Sequence, residues 1–290
     1  MKIFRSPSPM VAWSRRLRRE GVVVGFVPTM GALHDGHRAL IRDARLACDA
    51  LVVSIFVNPT QFAPTEDLAT YPRRLREDRE VCREEGVDVC FEPTPAVMYP
   101  KGHQTVVTVP LVARRWEGES RPHHFAGVAT VVTKLFGIVG PDVAVFGQKD
   151  YQQCAVVRQL IADLNLGIRL IVRATVRERD GLAMSSRNVF LSAAERRMAP
   201  IFYHALLAGR RAIDAGMTNA ESVQAVMRKV LAGEPSVRVD YLAVCDADTL
   251  EPLDRIDRRA VILGAVRLGA VRLIDNVLVR PKGKGRGNSS

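Results

Sequence analysis

Apolar residues fall into two kinds of segment along the first 176 positions. Short apolar, β-branched runs predict strands. They lie at 22–27, 50–57, 87–91, 143–146 and 168–172, with a further candidate at 105–109. Longer segments predict helices. They lie at 34–48, where apolar residues recur near helical spacing, at 73–85, which is charged and followed by Gly86, at 125–139, which is apolar on most sides, and at 151–164, with a helical turn at 111–116. Alternating strands and helices of this kind predict an α/β fold, a doubly wound parallel sheet covered on both faces.

The pattern changes after position 176. Two long helical stretches come first, and three strand-like runs follow. They lie at 192–215 and 219–232, and at 237–244, 260–266 and 271–279. This order predicts a smaller α+β unit, so we divide the chain into residues 1–176 and 177–290. The Gly-rich, basic tail from about position 280 is expected to be disordered.

Polar side chains follow three of the predicted strands directly. They are His34 and His37, then Asn58 and Gln61, then Lys149 and Asp150. Ligands of open α/β sheets bind at the carboxyl ends of the strands, so these groups are expected to converge.

The segment between the first strand and its helix has the composition of an anion site. Pro28 is expected to end the strand, because proline has no N–H for the sheet ladder. A small-residue turn, Met30 to Ala32, leads to His34 and His37 at the start of the helix. Free backbone N–H groups and the positive end of the helix dipole would face an anion there. The two imidazoles lie on one helical face, which favours a phosphate site.

Two other interpretations of the histidines remain open. A zinc pair needs further ligands, for which His124 is the obvious candidate, and the five cysteines form no Cys-x-x-Cys pair. The histidines could also serve only to cap the helix. Neither a Gly-x-x-x-x-Gly-Lys-Ser/Thr loop nor a Gly-x-Gly-x-x-Gly fingerprint is present.

Two further segments carry phosphate-binding chemistry. Lys149 can neutralise a phosphate, and Asp150 can accept hydrogen bonds from a ribose. The alternative is a purely structural role, in which Asp150 caps the helix and Lys149 is solvated. The segment Met184 to Arg187 offers two hydroxyls and a guanidinium in a flexible loop. That composition suits a mobile clamp on pyrophosphate, although Ser-Ser-Arg is common in loops.

Composition restricts the class of protein. The 290 residues are 47% apolar and 25% charged, with no signal-peptide pattern and no apolar stretch of about 20 residues, so no membrane segment is expected. An odd number of cysteines with no Cys-x-x-Cys pair fits a reducing cytoplasm. Four of the +11 net charges belong to Arg280, Lys282, Lys284 and Arg286 in the tail. The rest fits a solvated surface or a polyanionic substrate, with nucleic acid left possible.

Five segments together closely resemble the motifs of the pantoate–β-alanine ligase family. They are Pro28–His37, Phe56–Phe62, Arg121–Gly127, Phe146–Gln153 and Met184–Asn188. The resemblance runs in order from about position 22 to 276. The family belongs to a nucleotidyltransferase superfamily with His-x-Gly-His and Lys-Met-Ser-Lys-Ser-type motifs, which class I aminoacyl-tRNA synthetases share. In this chain Met184–Arg187 stands in the place of the second motif.

The resemblance implies ATP-dependent ligation of (R)-pantoate and β-alanine. The products would be pantothenate, AMP and diphosphate, formed through a pantoyl adenylate in pantothenate and coenzyme A biosynthesis. It also implies a Rossmann-like nucleotide- and pantoate-binding domain, a smaller lid domain, a cytoplasmic homodimer, and Mg²⁺ carried by the ATP phosphates with no protein metal site. Nucleic-acid and membrane partners are not expected.

Family motifs carry roles onto matching residues of this chain. Charge stabilisation at the α-phosphate and pyrophosphate would fall to His34, His37, Lys149 and Arg187, with Ser185 and Ser186. The remaining ATP contacts would be Met30, Gly31, Ala32, Leu33, Asp35, Gly36, Gly147, Gln148, Asp150, Val176 and Met184. Pantoate would contact Gln61, Gln153, Met30, Phe56 and Val131. β-Alanine would contact Gln61, Asn58 and Arg121. In the family, the residue at the position of His37 is described as a proton donor. We expect His37 to stabilise negative charge electrostatically and by hydrogen bonding.

The sequence departs from the family pattern at Thr60 and Val271, and we expect neither to touch a residue with a chemical role. Two alternative functions stay open. One is a related nucleotidyltransferase that transfers AMP or CMP to another small acceptor. That function would not explain the presence of Gln61 and Gln153, which suit a small hydroxy acid. The other is an RNA-binding or tRNA-charging protein, for which residues 177–290 leave no room for an anticodon-binding domain.

Overall fold

The computed structural model describes residues 1–64 and 66–281. The predicted tail, from position 282 onward, lies outside these residues. Contacts divide the chain into two compact units. The larger unit comprises residues 1–148 and 152–176, and the smaller unit comprises residues 149–151 and the chain from 177 onward. Within the described part of the chain, every helix is too short or too polar to span a membrane.

A parallel sheet of six strands forms the centre of the larger unit, counted over its described residues. The strands are β1 (Lys2–Phe4), β2 (Val24–Thr29), β3 (Ala50–Ile55), β4 (Val89–Phe91), β5 (Val143–Gly147) and β6 (Arg169–Arg173). Their order across the sheet is β1-β4-β3-β2-β5-β6, and each neighbouring pair is parallel. The chain reverses its direction of winding between β2 and β5, which makes their carboxyl ends the switch point of the sheet.

Helices connect these strands. They are α1 (Pro7–Arg19), α2 (Asp35–Leu46), α3 (Leu75–Glu84), α4 (Pro95–Met98), α5 (Pro110–Ala113), α6 (Glu117–Ser120), α7 (His124–Val139) and α8 (Tyr151–Asp163). One apolar core joins one face of the sheet to α1, α7 and α8, and a second joins the opposite face to α2 and α3. Phe26 belongs to the first core and its neighbour Val27 to the second. Alternation between two cores explains why the strands are continuously apolar.

The smaller unit packs helices against an antiparallel sheet. Its elements are α9 (Ala193–Met198), α10 (Pro200–Asp214), α11 (Ala220–Leu231), β7 (Val237–Asp246), β8 (Ala260–Leu268) and β9 (Val271–Val279). The strand order is β7-β8-β9. Side chains of α10, α11 and the three strands form one apolar core. The predicted fold class, a Rossmann-like doubly wound sheet followed by a smaller α+β part, is confirmed.

The prediction that Pro28 ends its strand is wrong, because β2 continues to Thr29. The carbonyls of Val23 and Thr29 accept hydrogen bonds from the β3 side, whereas Val24 bonds with Asp142 on the β5 side. Pro28 shares the orientation of Val24, so its missing N–H points toward β5. The ladder with β5 has already ended at Phe26, and no hydrogen bond is lost there.

Two other predictions need correction, and two elements were missed. The candidate strand at 105–109 is irregular chain, and the N–H of Val107 donates to Thr130 Oγ1 instead of to a ladder. The long helix predicted at 192–215 is divided at Pro200, which has no N–H for the preceding turn. The N-terminal elements β1 and α1 were not predicted; in β1, three residues are too few for a period-two pattern.

Candidate active site

The turn after β2 is held in a left-handed conformation by a buried carboxylate. Gly31 has φ of +83° and Ala32 has φ of +51°. Asp78 of α3, which is 2% exposed, accepts hydrogen bonds from the N–H of Ala32 at 3.0 Å and of Leu33 at 2.7 Å. A Cβ at Gly31 would lie 2.9 Å from Asp78 Oδ2, so glycine is required there. Burial raises the pKa of Asp78, and the two N–H groups oppose that rise.

His34 and His37 form a contiguous pair at the start of α2. Their ring centroids are 4.1 Å apart. His34 is the N-cap of the helix, and its Nδ1 accepts from the N–H of Gly36 at 3.1 Å. His37 Nδ1 accepts from the N–H of His34 at 3.3 Å. A neutral imidazole that accepts at Nδ1 carries its proton on Nε2, so each ring has an Nε2–H donor.

The expectation of free backbone donors in this turn is wrong for Gly31, Ala32 and Leu33. The N–H of Gly31 donates to Thr29 Oγ1 at 3.2 Å, and the other two donate to Asp78. The capping interpretation of the histidines is realised, yet it does not exclude an anion site. Capping occupies Nδ1 of each ring, while the donor that would meet an anion is Nε2–H.

Asn58 and Gln61 follow β3 in a 3₁₀ turn, Pro59–Gln61, and both are buried. Asn58 Nδ2 donates to Gln61 Oε1 at 3.1 Å and to the carbonyl of Gly127 at 3.1 Å. Asn58 Oδ1 accepts from Tyr99 OH at 2.8 Å and from Thr60 Oγ1 at 3.0 Å. The expectation that Thr60 touches no residue with a chemical role is therefore wrong.

Gln61 also connects the ends of β2 and β3. Its Nε2 lies 3.0 Å from Met30 Sδ. The predicted convergence of the groups after these two strands is thus present within the larger unit. Sheet order explains it, since β2 and β3 are parallel neighbours with their carboxyl ends at one edge.

The backbone of Gln61 is held by a cluster at the start of α7. His124 Nδ1 lies 3.0 Å from the carbonyl of Gln61, and Arg121 Nη2 donates to the same carbonyl at 3.3 Å. Arg121 also pairs with both carboxylate oxygens of Glu66 at 2.6 Å. Burial, and then the charge of Arg121, lowers the pKa of His124 to about 4. The guanidinium is therefore paired with Glu66, and its contact with β-alanine stays a prediction.

Other predicted residues of the larger unit occupy the expected elements. Phe56 and the α7 residue Val131 are buried in the same apolar core. Gln153 is half-buried in the first turn of α8. Its neighbour Gln152 is buried and bonds to backbone groups of the 110s, including the N–H of Glu117 at 3.1 Å. Gln152 thus has a structural role, and only Gln153 is available for the predicted contact with pantoate.

The switch point of the sheet places Gly147 at the end of β5, beside the end of β2. A Cβ added to Gly147 would meet Leu40 of α2 at 3.9 Å, an ordinary contact. Gln148 begins the 3₁₀ turn that follows, and Val176 lies three residues beyond β6. Both remain predicted ATP contacts.

Lys149 and Asp150 belong to the smaller unit by their contacts. Lys149 Nζ lies 3.7 Å from Asp150 Oδ1. The carbonyl of Lys149 accepts from Asn276 Nδ2 of β9 at 3.0 Å, and Tyr151 OH donates to the carbonyl of Ala247 at 2.6 Å. A strand and a loop of this unit therefore hold the backbone carbonyl of Lys149 and the side chain of Tyr151, the two neighbours of Asp150.

A buried ion pair supports Asn276. Arg177 donates to both carboxylate oxygens of Asp275, at 2.5 Å and 2.9 Å, and its guanidinium lies 3.7 Å from the ring centroid of Tyr203. Burial raises the pKa of Asp275, while hydrogen bonds from Arg177 oppose that rise. Asp275 Oδ1 also accepts from the N–H of Asn276 at 2.8 Å. The carboxylate thereby orients the residue that contacts Lys149.

The segment from Met184 to Arg187 is more ordered in its hydrogen bonding than the predicted loop. Ser186–Phe190 forms a 3₁₀ helix capped by Ser185, whose Oγ accepts from the N–H of Arg187 at 3.3 Å. Asn188 Nδ2 connects this helix to the preceding segment by donating to the carbonyl of Ala183 at 3.1 Å. The four residues from Met184 to Arg187 are half-buried.

Metal ligation has no candidate cluster in residues 1–64 and 66–281. No three His, Cys, Asp or Glu side chains come together there as metal ligands. His124, considered as a zinc ligand from the sequence, instead bonds to the carbonyl of Gln61.

Several site residues were not identified from the sequence. Asp78 lies in a charged run, Arg76 to Glu80, that resembles a solvated helix face. Tyr99 and Glu66 lie in loops without a periodic pattern. Asn276 ends the stretch that resembles the family, and the resemblance gives it no role. A signal existed for Asp78 alone, because the sequence places it on one helical face with Cys82, an apolar residue four positions later.

Comparison with known proteins identifies the family. A family model described as pantoate–β-alanine ligase matches residues 2–278. The pantothenate synthetase of Syntrophotalea carbinolica is 55% identical over 259 residues, which cover 89% of this chain and 92% of that protein. The pantothenate synthetase of Chloroflexus aurantiacus is 52% identical over 275 residues, which cover 94% and 98% of the two chains.

Solved structures agree with these sequence matches. The crystal structure of pantothenate synthetase from Thermus thermophilus is similar with a TM-score of 0.92 and 45% identity, covering 97% of this chain and 100% of that one. Pantoate–β-alanine ligase from Francisella tularensis, complexed with β-γ ATP and β-alanine, has a TM-score of 0.80 and 35% identity, covering 96% and 97%. This chain belongs to the pantoate–β-alanine ligase family, and it is a carbon–nitrogen ligase.

Proposed function

We propose that this chain joins (R)-pantoate to β-alanine in two steps through a pantoyl adenylate bound beside His34, His37 and Gln61. The pair of Nε2–H donors at the start of α2 carries the proposal. The two rings are in contact at 4.1 Å, and the sheet brings them to the same edge as Gln61 and Met30. A site for a phosphoryl group and a site for a small polar substrate thus adjoin each other within the larger unit.

In the first step, a carboxylate oxygen of pantoate attacks the α-phosphorus of ATP. A new P–O bond forms, the bond to the β-phosphate oxygen breaks, and diphosphate leaves with the electron pair. Negative charge grows on the α-phosphoryl oxygens, and Nε2–H donors at a helix N-terminus stabilise that charge. Family motifs assign Lys149, Ser185, Ser186 and Arg187 to the phosphates, and this part rests on the resemblance.

In the second step, the amine of β-alanine attacks the acyl carbon of the adenylate. The C–N bond forms, AMP leaves with the electrons of the C–O bond, and the amine loses a proton. The amide Nε2 of Gln61 donates to substrate oxygen, and Phe56 and Val131 are proposed to bound the gem-dimethyl group of pantoate. Both apolar side chains are buried in the core cluster that includes α7.

Nucleotide binding is supported by the Francisella tularensis relative, which was solved with β-γ ATP and β-alanine. Mg²⁺ is proposed to be carried by the ATP phosphates, since it commonly retains several waters and needs few protein ligands. It would neutralise phosphate charge, and no step is assigned to a protein-held metal. A homodimeric state and a cytoplasmic location stay predictions from the resemblance and the cysteine content.

Isotope exchange between pyrophosphate and ATP tests the proposal. Purified protein with ATP, Mg²⁺ and pantoate should catalyse exchange without β-alanine and without RNA. Lys149→Ala should lower the rate at least about a hundredfold, which is the usual cost of one preorganised charged group. Exchange that is independent of pantoate would contradict the ligase and favour a nucleotidyltransferase with another acceptor.

A further inference from the structure

The amide of Asn58 has one possible orientation. Its two polar atoms face backbone groups that cannot exchange roles: the carbonyl of Gly127 only accepts, and the N–H of Thr60 only donates. Nδ2 must therefore face Gly127, at 3.1 Å, and Oδ1 must face Thr60. The side chain is 1% exposed, so water cannot substitute for these partners.

This orientation determines the polarity of Gln61. Nδ2 of Asn58 can only donate, so the atom of Gln61 that lies 3.1 Å from it is Oε1. Nε2 of Gln61 then points the other way, toward Met30 Sδ at 3.0 Å. A ligand that meets Gln61 on this side meets hydrogen-bond donors. The matching ligand atom is an acceptor, such as a hydroxyl or carboxylate oxygen.

Two hydroxyls complete this chain of hydrogen bonds. Tyr99 OH donates to Asn58 Oδ1 at 2.8 Å, and Thr60 Oγ1 donates to the same atom at 3.0 Å. The hydroxyls of Tyr99 and Thr60 also lie 3.2 Å apart. The backbone of Gln61 is fixed independently by His124 and Arg121. The side-chain amide is thus the part of Gln61 that depends on Asn58.

We propose that Tyr99 and Thr60 act through Asn58 to hold Gln61 as a hydrogen-bond donor toward pantoate. Tyr99, Thr60 and Asn58 are then positioning residues. We infer that Asn58 does not itself contact β-alanine, because both hydrogens of its amide are already donated and its oxygen already accepts from Tyr99 and Thr60. This inference rests on the proposed function for the identity of the ligand. The order of hydrogen bonds from Tyr99 to Gln61 does not depend on it.

Kinetics of conservative variants test the proposal. Tyr99→Phe and Thr60→Val each remove one hydroxyl at nearly constant shape. Each should raise the KM for pantoate in the exchange assay roughly threefold to tenfold, the effect of one lost hydrogen bond, and the double variant should raise it further. The KM for ATP should stay within about twofold of wild type, because the relay from Tyr99 and Thr60 through Asn58 orients the amide of Gln61, a residue assigned to pantoate and not to ATP.

Matched controls separate positioning from packing. Thr60→Ser keeps the hydroxyl and should restore the wild-type KM that Thr60→Val loses. Tyr203→Phe removes a tyrosine hydroxyl in the smaller unit, outside this network, and should leave the KM for pantoate unchanged. Thr60 is exposed, so the Val and Ser variants should fold even where Tyr99→Phe lowers the melting temperature.

A second measurement works without substrate. In protein labelled with ¹⁵N-glutamine, the side-chain amide signal of Gln61 is assigned by its loss in Gln61→Glu. That signal should shift in Tyr99→Phe and in Thr60→Val but not in Tyr203→Phe. An unshifted signal together with an unchanged pantoate KM in the double variant overturns the relay. A shifted signal in a protein without pantoate-dependent exchange supports the relay while contradicting the proposed function.

Discussion

His34 combines a structural and a proposed chemical task in one ring. Nδ1 caps α2 by accepting from the N–H of Gly36, which leaves the proton on Nε2. The cap therefore selects the tautomer that presents a donor. Asp78 has a related effect on the preceding turn, because its carboxylate accepts from two N–H groups and holds Ala32 at positive φ. Local backbone bonding thus prepares the side chains for their proposed role.

Two substitutions at His34 separate the two tasks. Asparagine is a good N-cap and lacks the imidazole, whereas alanine lacks both. His34→Asn and His34→Ala should each lower pantoate-dependent exchange at least about a hundredfold. Only His34→Ala should also lower the free energy of unfolding, by about 1 kcal/mol. Urea unfolding measures the free energy of unfolding. Wild-type exchange in His34→Asn would show that His34 only caps the helix and has no chemical role.

At the scale of elements, the site depends on the close approach of α7 to the 3₁₀ turn after β3. Gly127 makes this possible, since an added Cβ would lie 2.4 Å from the carbonyl oxygen of Thr60. The same approach brings the carbonyl of Gly127 to Asn58 Nδ2 at 3.1 Å. Absence of a side chain at one helix position is therefore a condition for the orientation of Gln61.

Gly127→Ala should disturb both packing and substrate binding. The added methyl would force α7 away from the turn, and overpacking of this kind destabilises by about 1–3 kcal/mol. The KM for pantoate should rise as well, because the bond from Asn58 to Gly127 lengthens. Thermal unfolding and exchange kinetics measure the two effects.

Gly137→Ala is the matched control on the same helix. A Cβ there would meet nothing within 4 Å, and alanine stabilises a helix interior by roughly 0.5–1 kcal/mol relative to glycine. The control should keep the wild-type KM and melt no earlier than wild type. If Gly127→Ala and Gly137→Ala had the same KM for pantoate and the same melting temperature, the packing of α7 against the 3₁₀ turn would not be tight.

At the scale of the whole molecule, His124 links stability to pH. Its pKa is about 4 in the folded protein, and an unperturbed histidine has a pKa of about 6.5. Between these values the unfolded state binds more protons than the folded state, so stability rises with pH. The contribution of His124 is complete above pH 6.5 and is lost as the pH falls toward 4.

His124→Asn should remove this dependence while keeping a donor for the carbonyl of Gln61. Wild type and variant are first compared at pH 8, where the histidine is neutral in both states. As the pH falls from 6.5 to 4, the wild type should lose about 2–3 kcal/mol more free energy of unfolding than the variant. Other titrating groups are common to both proteins and cancel in the difference. Parallel curves from urea unfolding would contradict a depressed pKa.

Much of the fold was predictable because its signals are local in sequence. Continuous apolar runs such as residues 50–57 arise where a strand is covered on both faces, and β3 confirms this one. Pro28 shows the limit of that reasoning. Whether a proline ends a strand depends on which side its missing N–H faces, and only the pairing of β2 with β3 and β5 answers that question.

The candidate site also has features that the sequence predicts and others that only the tertiary structure shows. The sequence by itself determined the family, the sheet class and the residues placed at strand ends, because motif spacing and the period of apolar residues are carried by neighbours along the chain. Tertiary structure decided the partners: Asp78 for the turn, Tyr99 and Thr60 for Asn58, and Glu66 for Arg121. Most of these hydrogen bonds join residues 40 or more positions apart, so their donors and acceptors are matched only when the strands and helices have packed.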